Sequence, residues 1–202
     1  MPRLFGAHSS TSRKDLAAST RADAGRYDLD SGATLVEFAI VMPLLLLLMI
    51  GIMEVGVAFY DYLTVERATL EGVRTASFTG DAIDADCHTI TNIVSDLPGG
   101  FLERITQIEI FHADANGNQI PGQTNIWQYL NGDPADCVNS WFTLPTWPST
   151  SRYTTAGPSR PLDIIGVRIR MDRNWISNFP PFTGGYTVDE ASILRMEPEV
   201  FE

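Results

Sequence analysis

The chain has 202 residues, 44% of them apolar and 19% charged, which suffices for one modest domain with a core and is tight for two. Its formal net charge of −11 argues against a polyanion-binding surface as its main business. Beyond position 32 the nine basic residues are all arginines, set against 21 acids, so that part holds no lysine for Schiff-base, P-loop or isopeptide chemistry.

The first 32 residues differ from the rest. Arg3, Arg13, Lys14, Arg21 and Arg26 outweigh Asp15, Asp23, Asp28 and Asp30 there, a balance of +1 against −12 for the remainder. Residues 38–60 then read FAIVMPLLLLLMIGIMEVGVAFY, with Glu54 as the only charge and five consecutive leucines at the centre. No amphipathic period survives in this stretch, so it is not the half-buried helix of a soluble domain. The charge-free run between Glu37 and Glu54 covers 16 residues, about 24 Å of helix, whereas a hydrocarbon core is roughly 30 Å thick. One glutamate must therefore lie at or inside the apolar boundary, where an unpaired carboxylate is costly. Five Lys/Arg precede the span and two, Arg67 and Arg74, follow it within 32 residues. The positive-inside rule then places the N-terminus in the cytoplasm and the bulk of the chain outside.

The entry to the apolar run carries a resemblance. Gly32 followed by Ala33-Thr34-Leu35-Val36-Glu37 is similar to the processing site of type IV prepilins, in which a membrane peptidase cuts after glycine and a glutamate falls fifth in the mature chain. GATLVEFAIVMPLLLLLMIGIMEVG, with Pro43 and Glu54 inside it, resembles the TadE-like pseudopilins of the tight-adherence (Flp-type) pilus system. RATLEGVR, from Arg67, and LRMEP, from Leu194, add to the likeness. Ala33 departs from ordinary type IV pilins, which carry an aromatic after the glycine. The resemblance implies cleavage between Gly32 and Ala33, a long N-terminal helix, and a non-enzymatic role in pilus assembly with no cofactor. Its partners would be a prepilin peptidase, other pilins or pseudopilins met through the N-terminal helix, and membrane lipid, with no nucleic acid among them. Over 100 residues would lie outside the membrane, which suits an accessory or minor subunit.

Two acids matter under this reading. Cleavage would expose an α-amino group four residues, one helical turn, before Glu37, so that carboxylate and ammonium can neutralise each other within a chain or between neighbours. Breaking such a desolvated pair costs on the order of 3–5 kcal/mol, and a pair of that kind can set register. The plainer role for Glu37 is to mark the membrane boundary. Glu54 falls about 21 residues down a helix that starts at Ala33; it reaches external water there or pairs with a basic residue of another subunit. Pro43 removes a helical hydrogen bond, which membrane helices tolerate.

Past Tyr60 the helical pattern continues, with Leu63, Arg67, Leu70, Arg74 and Ser77 on one face and Val65, Thr69 and Val73 beside it. Gly80 is a stop signal. The expectation is one helix over about 33–78, near 70 Å long at about 1.5 Å per residue; a break around Asp61 is the alternative. A second helix is expected over 88–97, then a strand over 105–112, a turn at Asn116-Gly117 leading into 118–120, an alternating strand over 165–171 with Arg168 and Arg170 outward, and a last strand over 186–196. Residues 121–161, rich in proline and glycine and holding Trp127, Trp141 and Trp147, read as a long structured loop. Cys87 and Cys137 are the right number for one disulfide and fall on the external side, where it persists. Two separate buried thiols are the other reading.

The fold class expected is thus α+β and pilin-like: a long N-terminal transmembrane helix with a small antiparallel sheet packed on its outer half. The expected organisation is a cytoplasmic leader over 1–32, the transmembrane half of the helix over 33–60, its external half over 61–80, and a periplasmic or extracellular domain over 81–202. That is a single-pass protein of the inner membrane, pilus-associated after assembly. Catalytic and metal-binding residues are not expected. Asp114-x-Asn116-x-Asn118 has the opening spacing of a calcium loop, but Gln119 replaces its glycine and Asn125 its closing glutamate, so a hairpin tip accounts for it better. Asp81, Asp84 and Asp86 read as a solvated acidic turn, with weak cation binding as the alternative. His88 and His112 stand near no nucleophile motif. Trp141, Phe142 and Trp147 contact a partner subunit or simply pack their own loop. An uncleaved single-span anchor presenting a binding domain is the alternative function; a secreted enzyme fits poorly, because no A-x-A cleavage site follows the apolar run.

Overall fold

The computed structural model describes residues 13–155, 157 and 161–197, with side chains from Gly32 onward. Residues 1–12 of the expected leader, the side chains of 13–31, and Pro198 of the LRMEP segment lie outside the described residues. The chain divides into two compact units, residues 1–52 and 53–202.

Helix α1, Arg13–Thr79, is unbroken, with Pro43 inside it, so the break considered at Asp61 is absent. Within Gly32–Thr79 it is long and apolar enough to cross a membrane. In the first unit every residue from Gly32 to Met49 is exposed, the leucines included. A soluble helix hides such side chains; this one presents them on all sides.

From Glu54 on, α1 has a buried stripe. Asp61, Val65, Ala68, Thr69, Gly72, Val73, Ala76 and Ser77 recur at three- and four-residue steps, which a 3.6-residue turn places on one face. This corrects the face read from sequence: Leu63 and Leu70 are exposed, while the stripe beside them is the packed one. The packed residues are mostly small. At Gly72 a Cβ would lie 2.6 Å from Ile93 Cδ1 and 3.4 Å from Val167 Cγ1, so its hydrogen admits α2 and the sheet together. Helix α1 stops at Gly80, whose φ of +57° suits a residue without Cβ.

Helix α2, Ala85–Asp96, buries Ala85, Thr89, Ile90 and Ile93 on one side. The remainder is a five-stranded sheet of order β3-β2-β1-β4-β5, antiparallel throughout. Its strands are β1 (Ile105–Ala113), β2 (Gln119–Tyr129), β3 (Trp141–Pro145), β4 (Ile164–Asn174) and β5 (Gly185–Arg195). The expected α+β, pilin-like architecture is thus present: a long N-terminal apolar helix and an antiparallel sheet, the sheet sharing its core with the later turns of α1. That core joins Val65, Ala68, Val73 and Ala76 of α1 to Ile90 and Ile93 of α2 and to Ile108, Ile110, Ile165, Val167, Ile169 and Met171 of the central strands.

Residues 121–161 depart from their expectation as loop. They contain most of β2 and all of β3. Pro121 and Gly122 sit where the β1–β2 register slips, between the pairs Phe111↔Thr124 and Ala113↔Gln119. A bulge is where a strand accommodates proline and a glycine with φ of +77°. The second departure, β3, is a short edge strand whose last residue is Pro145, again a place where a missing N–H is tolerated.

On the opposite sheet face Arg168 and Arg170 point outward as expected. Arg168 bonds Gln119 Oε1 at 2.8 Å and pairs with Glu109 at 3.3 Å, and Arg170 pairs with Asp189 at 2.9 Å. Phe111 lies across its cross-strand neighbour Gly166, where any Cβ would meet the ring at 2.2 Å.

Candidate functional site

The residues singled out from sequence fall into separate places. Gly32 and Ala33 lie on α1, exposed, with open space where a Cβ at Gly32 would go. Glu37 is exposed one helical turn further on. These three belong to the first unit, and the helix that follows them is lined by exposed, mostly apolar side chains.

Glu54 belongs to the second unit, and its surroundings differ from those expected for a carboxylate reaching water or a sister subunit. It is 1% exposed. Its Oε2 accepts the backbone N–H of Ile176 at 3.1 Å, and its Oε1 accepts that of Ser177. The β4–β5 connection, 175–184, is thereby held against α1 by a charge-assisted bond to each of two neighbouring amides. Two helical turns later Asp61, fully buried, accepts Arg173 Nη1 on both oxygens at 2.8 and 2.7 Å and the Tyr186 hydroxyl at 2.5 Å. Arg173 and Tyr186 are cross-strand partners at the end of the β4–β5 hairpin. Burial pushes the Tyr186 phenol up from its ordinary range, and its bond to Asp61 adds to the shift, so the hydroxyl stays a donor at physiological pH. Trp175 closes the group, its ring 4.6 Å from Tyr186 and 5.2 Å from Phe182.

Sequence reasoning missed this clamp. Asp61 entered only as a possible helix break, and Arg173 and Tyr186 not as site residues at all. A signal existed in the seven-residue spacing of Glu54 and Asp61, two turns on one helix face. Their partners are over 110 residues away, and no local pattern connects them.

A second polar group lies at the N-terminal end of α2. Cys87 and Cys137 are joined in a disulfide that ties α2 to the β2–β3 connection. Beside it Asp86 accepts Arg152 Nη2 at 2.5 Å and Asn125 Nδ2 at 2.6 Å, and Asn125 also bonds both backbone groups of Trp147. The Arg152 guanidinium lies 4.6 Å from the Trp147 ring centroid, on a ring that stacks against His112 at 4.9 Å. Trp141 and Trp147 are accordingly core residues, whereas Phe142 is exposed. Asp86 is engaged in this network and not in a free acidic turn. Asp114 forms the hairpin tip: its Oδ1 accepts the N–H of Asn116 and of Asn118, each at 2.8 Å. Asn125, the twelfth position of the calcium-loop spacing, is buried elsewhere. Among the described residues no group of three His, Cys, Asp or Glu side chains is placed to hold a metal ion.

These placements leave the helix, and what its acids do, as the feature to compare with known proteins. Residues 32–74 match the family model of TadE-like proteins. The chain carries a TadE-like segment. The resemblance read from the sequence holds over these residues. The TadE-like segment begins at Gly32, takes in Glu37, Glu54 and Asp61, and ends one residue beyond the buried Val73. It therefore spans the exposed apolar part of α1 and most of the packed stripe, and stops before α2 and the sheet. No curated protein and no solved structure matches the chain.

Proposed function

We propose that this protein is a membrane-anchored, pilin-like accessory subunit that assists assembly of a tight-adherence (Flp-type) pilus. The observation that carries the reading is the coincidence of the TadE-like match with an exposed, largely apolar stretch of α1 that begins at Gly32. A prepilin peptidase cleaves the precursor after Gly32, and the mature chain begins at Ala33. The membrane span is then 33–53 rather than 33–60, because Glu54 lies in the interior of the folded unit. Those 21 residues make about 32 Å of helix, matched to a hydrocarbon core of roughly 30 Å.

Within that span Glu37 is the only charge. The new α-amino group one turn away, or that of a neighbouring helix, supplies its counter-charge. Lateral packing of the helix against sister pilins then has one polar pair to set its register. Glu54 takes no part in this packing under the proposal, since it is buried and bonded to the amides of Ile176 and Ser177. The domain after Glu54 lies on the periplasmic or extracellular side, in keeping with the disulfide.

The test is mass spectrometry of the mature N-terminus after co-expression with a prepilin peptidase. A chain starting at Ala33, and its loss in Gly32→Ala, is the expected result. A chain unchanged by the peptidase would leave an uncleaved single-span anchor instead. Glu37→Ala is expected to be cleaved but poorly incorporated; unchanged assembly would overturn the register role.

A further inference from the structure

The β4–β5 connection combines features the clamp does not require. Residues 174–188 hold no charged side chain, in a part of the chain whose balance is −12. Ile176 and Phe179 are 54% and 53% exposed, and Pro180 and Pro181 are exposed beside them. A connection of this kind in an acidic domain normally carries polar residues, because its backbone meets water. Here it presents an apolar, partly aromatic surface while its amides at Ile176 and Ser177 are already satisfied by Glu54.

Glu54 also fixes where along α1 this surface sits. It is the residue directly after the apolar run that ends at Met53, so the connection is bonded to the helix at the point where hydrocarbon gives way to headgroups. Aromatic side chains favour that depth. Phe59 and Tyr60, exposed on the next turns of α1, continue the same character. We propose that the 175–184 connection is a lipid-contacting element, with Ile176, Phe179, Pro180 and Pro181 resting in the headgroup boundary of the bilayer that α1 crosses. The folded unit is then held to the membrane surface at two points, the helix and this connection. Leaving the bilayer for an assembly requires release of both.

The inference rests on the membrane span of the proposed function, and its test separates the two. The full chain is reconstituted in phosphatidylcholine vesicles at low protein density, carrying an environment-sensitive fluorophore at Phe179→Cys, at Leu46→Cys within the span, or at Leu130→Cys in the β2–β3 connection. Cys87 and Cys137, being disulfide-bonded, do not compete for label. A lipid spin label placed near the headgroup is expected to quench position 179 about three-fold more than position 130, and one placed deep in the acyl chain is expected to quench position 46. Quenching at 46 without quenching at 179 would overturn the lipid contact and leave the span standing. Absence of quenching at 46 would overturn both. A label at 179 that is shielded from the lipid quencher only as protein density rises would assign the surface to a second copy, and so also overturn the proposal.

Discussion

At Glu54 a carboxylate stands directly after a long apolar run, and a charge left unpaired in a dry environment costs several kcal/mol. Two backbone N–H groups meet it. Glu54→Ala would remove the carboxylate acceptor of both amides, at about 1 kcal/mol or more for each charge-assisted bond lost. Amide hydrogen exchange at Ile176 and Ser177 should rise by an order of magnitude or more, while the β1 amides stay protected. Equal protection in the variant would show that the hairpin is held by Asp61 alone. A milder effect is expected at Asp114. The Asn118 N–H, and then that of Asn116, hold its carboxyl below the usual carboxylate range. A group depressed on folding stabilises fully above its unfolded value, about 4, and that contribution is lost as pH falls through the folded value. The protection of Asn116 and Asn118 relative to the intrinsic exchange rate at each pH should therefore fall below about pH 4, and Asp114→Asn should remove that pH dependence. These residues were legible to different degrees. Asp114 followed from its own neighbours in the chain, whereas the satisfaction of Glu54 depends on residues 122 and 123 positions away.

Among the elements, α1 performs two tasks with one unbroken helix, and the residues change accordingly. From Leu35 to Met53 it offers mostly large, exposed apolar side chains. Beyond, Ala68, Gly72 and Ala76 repeat every four residues and let α2 and β4 approach. Gly72→Ala should gain about 1 kcal/mol of helix propensity and lose about 1–3 kcal/mol to overpacking against Ile93. A net lowering of the unfolding midpoint is expected, partly recovered by Ile93→Val, which removes the atom 2.6 Å from the new methyl. A rise in the midpoint for Gly72→Ala alone would mean that Ile93 swings aside freely. The strands were readable wherever alternation was uninterrupted, as in β4. They were missed where Pro121-Gly122 and Pro145 interrupt it, because a bulge or an edge partner is invisible to a local pattern.

For the whole molecule, the disulfide matters by what it closes. Cys87 and Cys137 are 50 residues apart, and on the chain-closure model the link removes unfolded-state entropy worth about 4 kcal/mol. It joins α2 to the connection feeding the edge strand β3, which pairs with β2. The Cys87→Ser/Cys137→Ser variant should unfold at clearly lower temperature in detergent, with β3 losing amide protection before β1 and β4. Simultaneous loss across the sheet would instead show one cooperative unit. The helix clamp shares no residue with this link, so the cleavage proposed after Gly32 should be unaffected in the same variant.

Taken by itself, the sequence determined the properties that arise within a single segment: the unbroken apolar run, the glycine–glutamate spacing at its entry, the charge asymmetry across it, and the long helix with strands after it. Each is a matter of periodicity or composition over a few turns of chain, and such patterns are local. Only the tertiary structure decided where the helix joins the folded unit, because that junction is made by Glu54 and Asp61 meeting Ile176, Ser177, Arg173 and Tyr186. An acid at the end of an apolar run looks the same in sequence whether water, a sister subunit or its own distant backbone satisfies it. Burial and hydrogen-bond partners distinguish these cases, and both are properties of the folded chain.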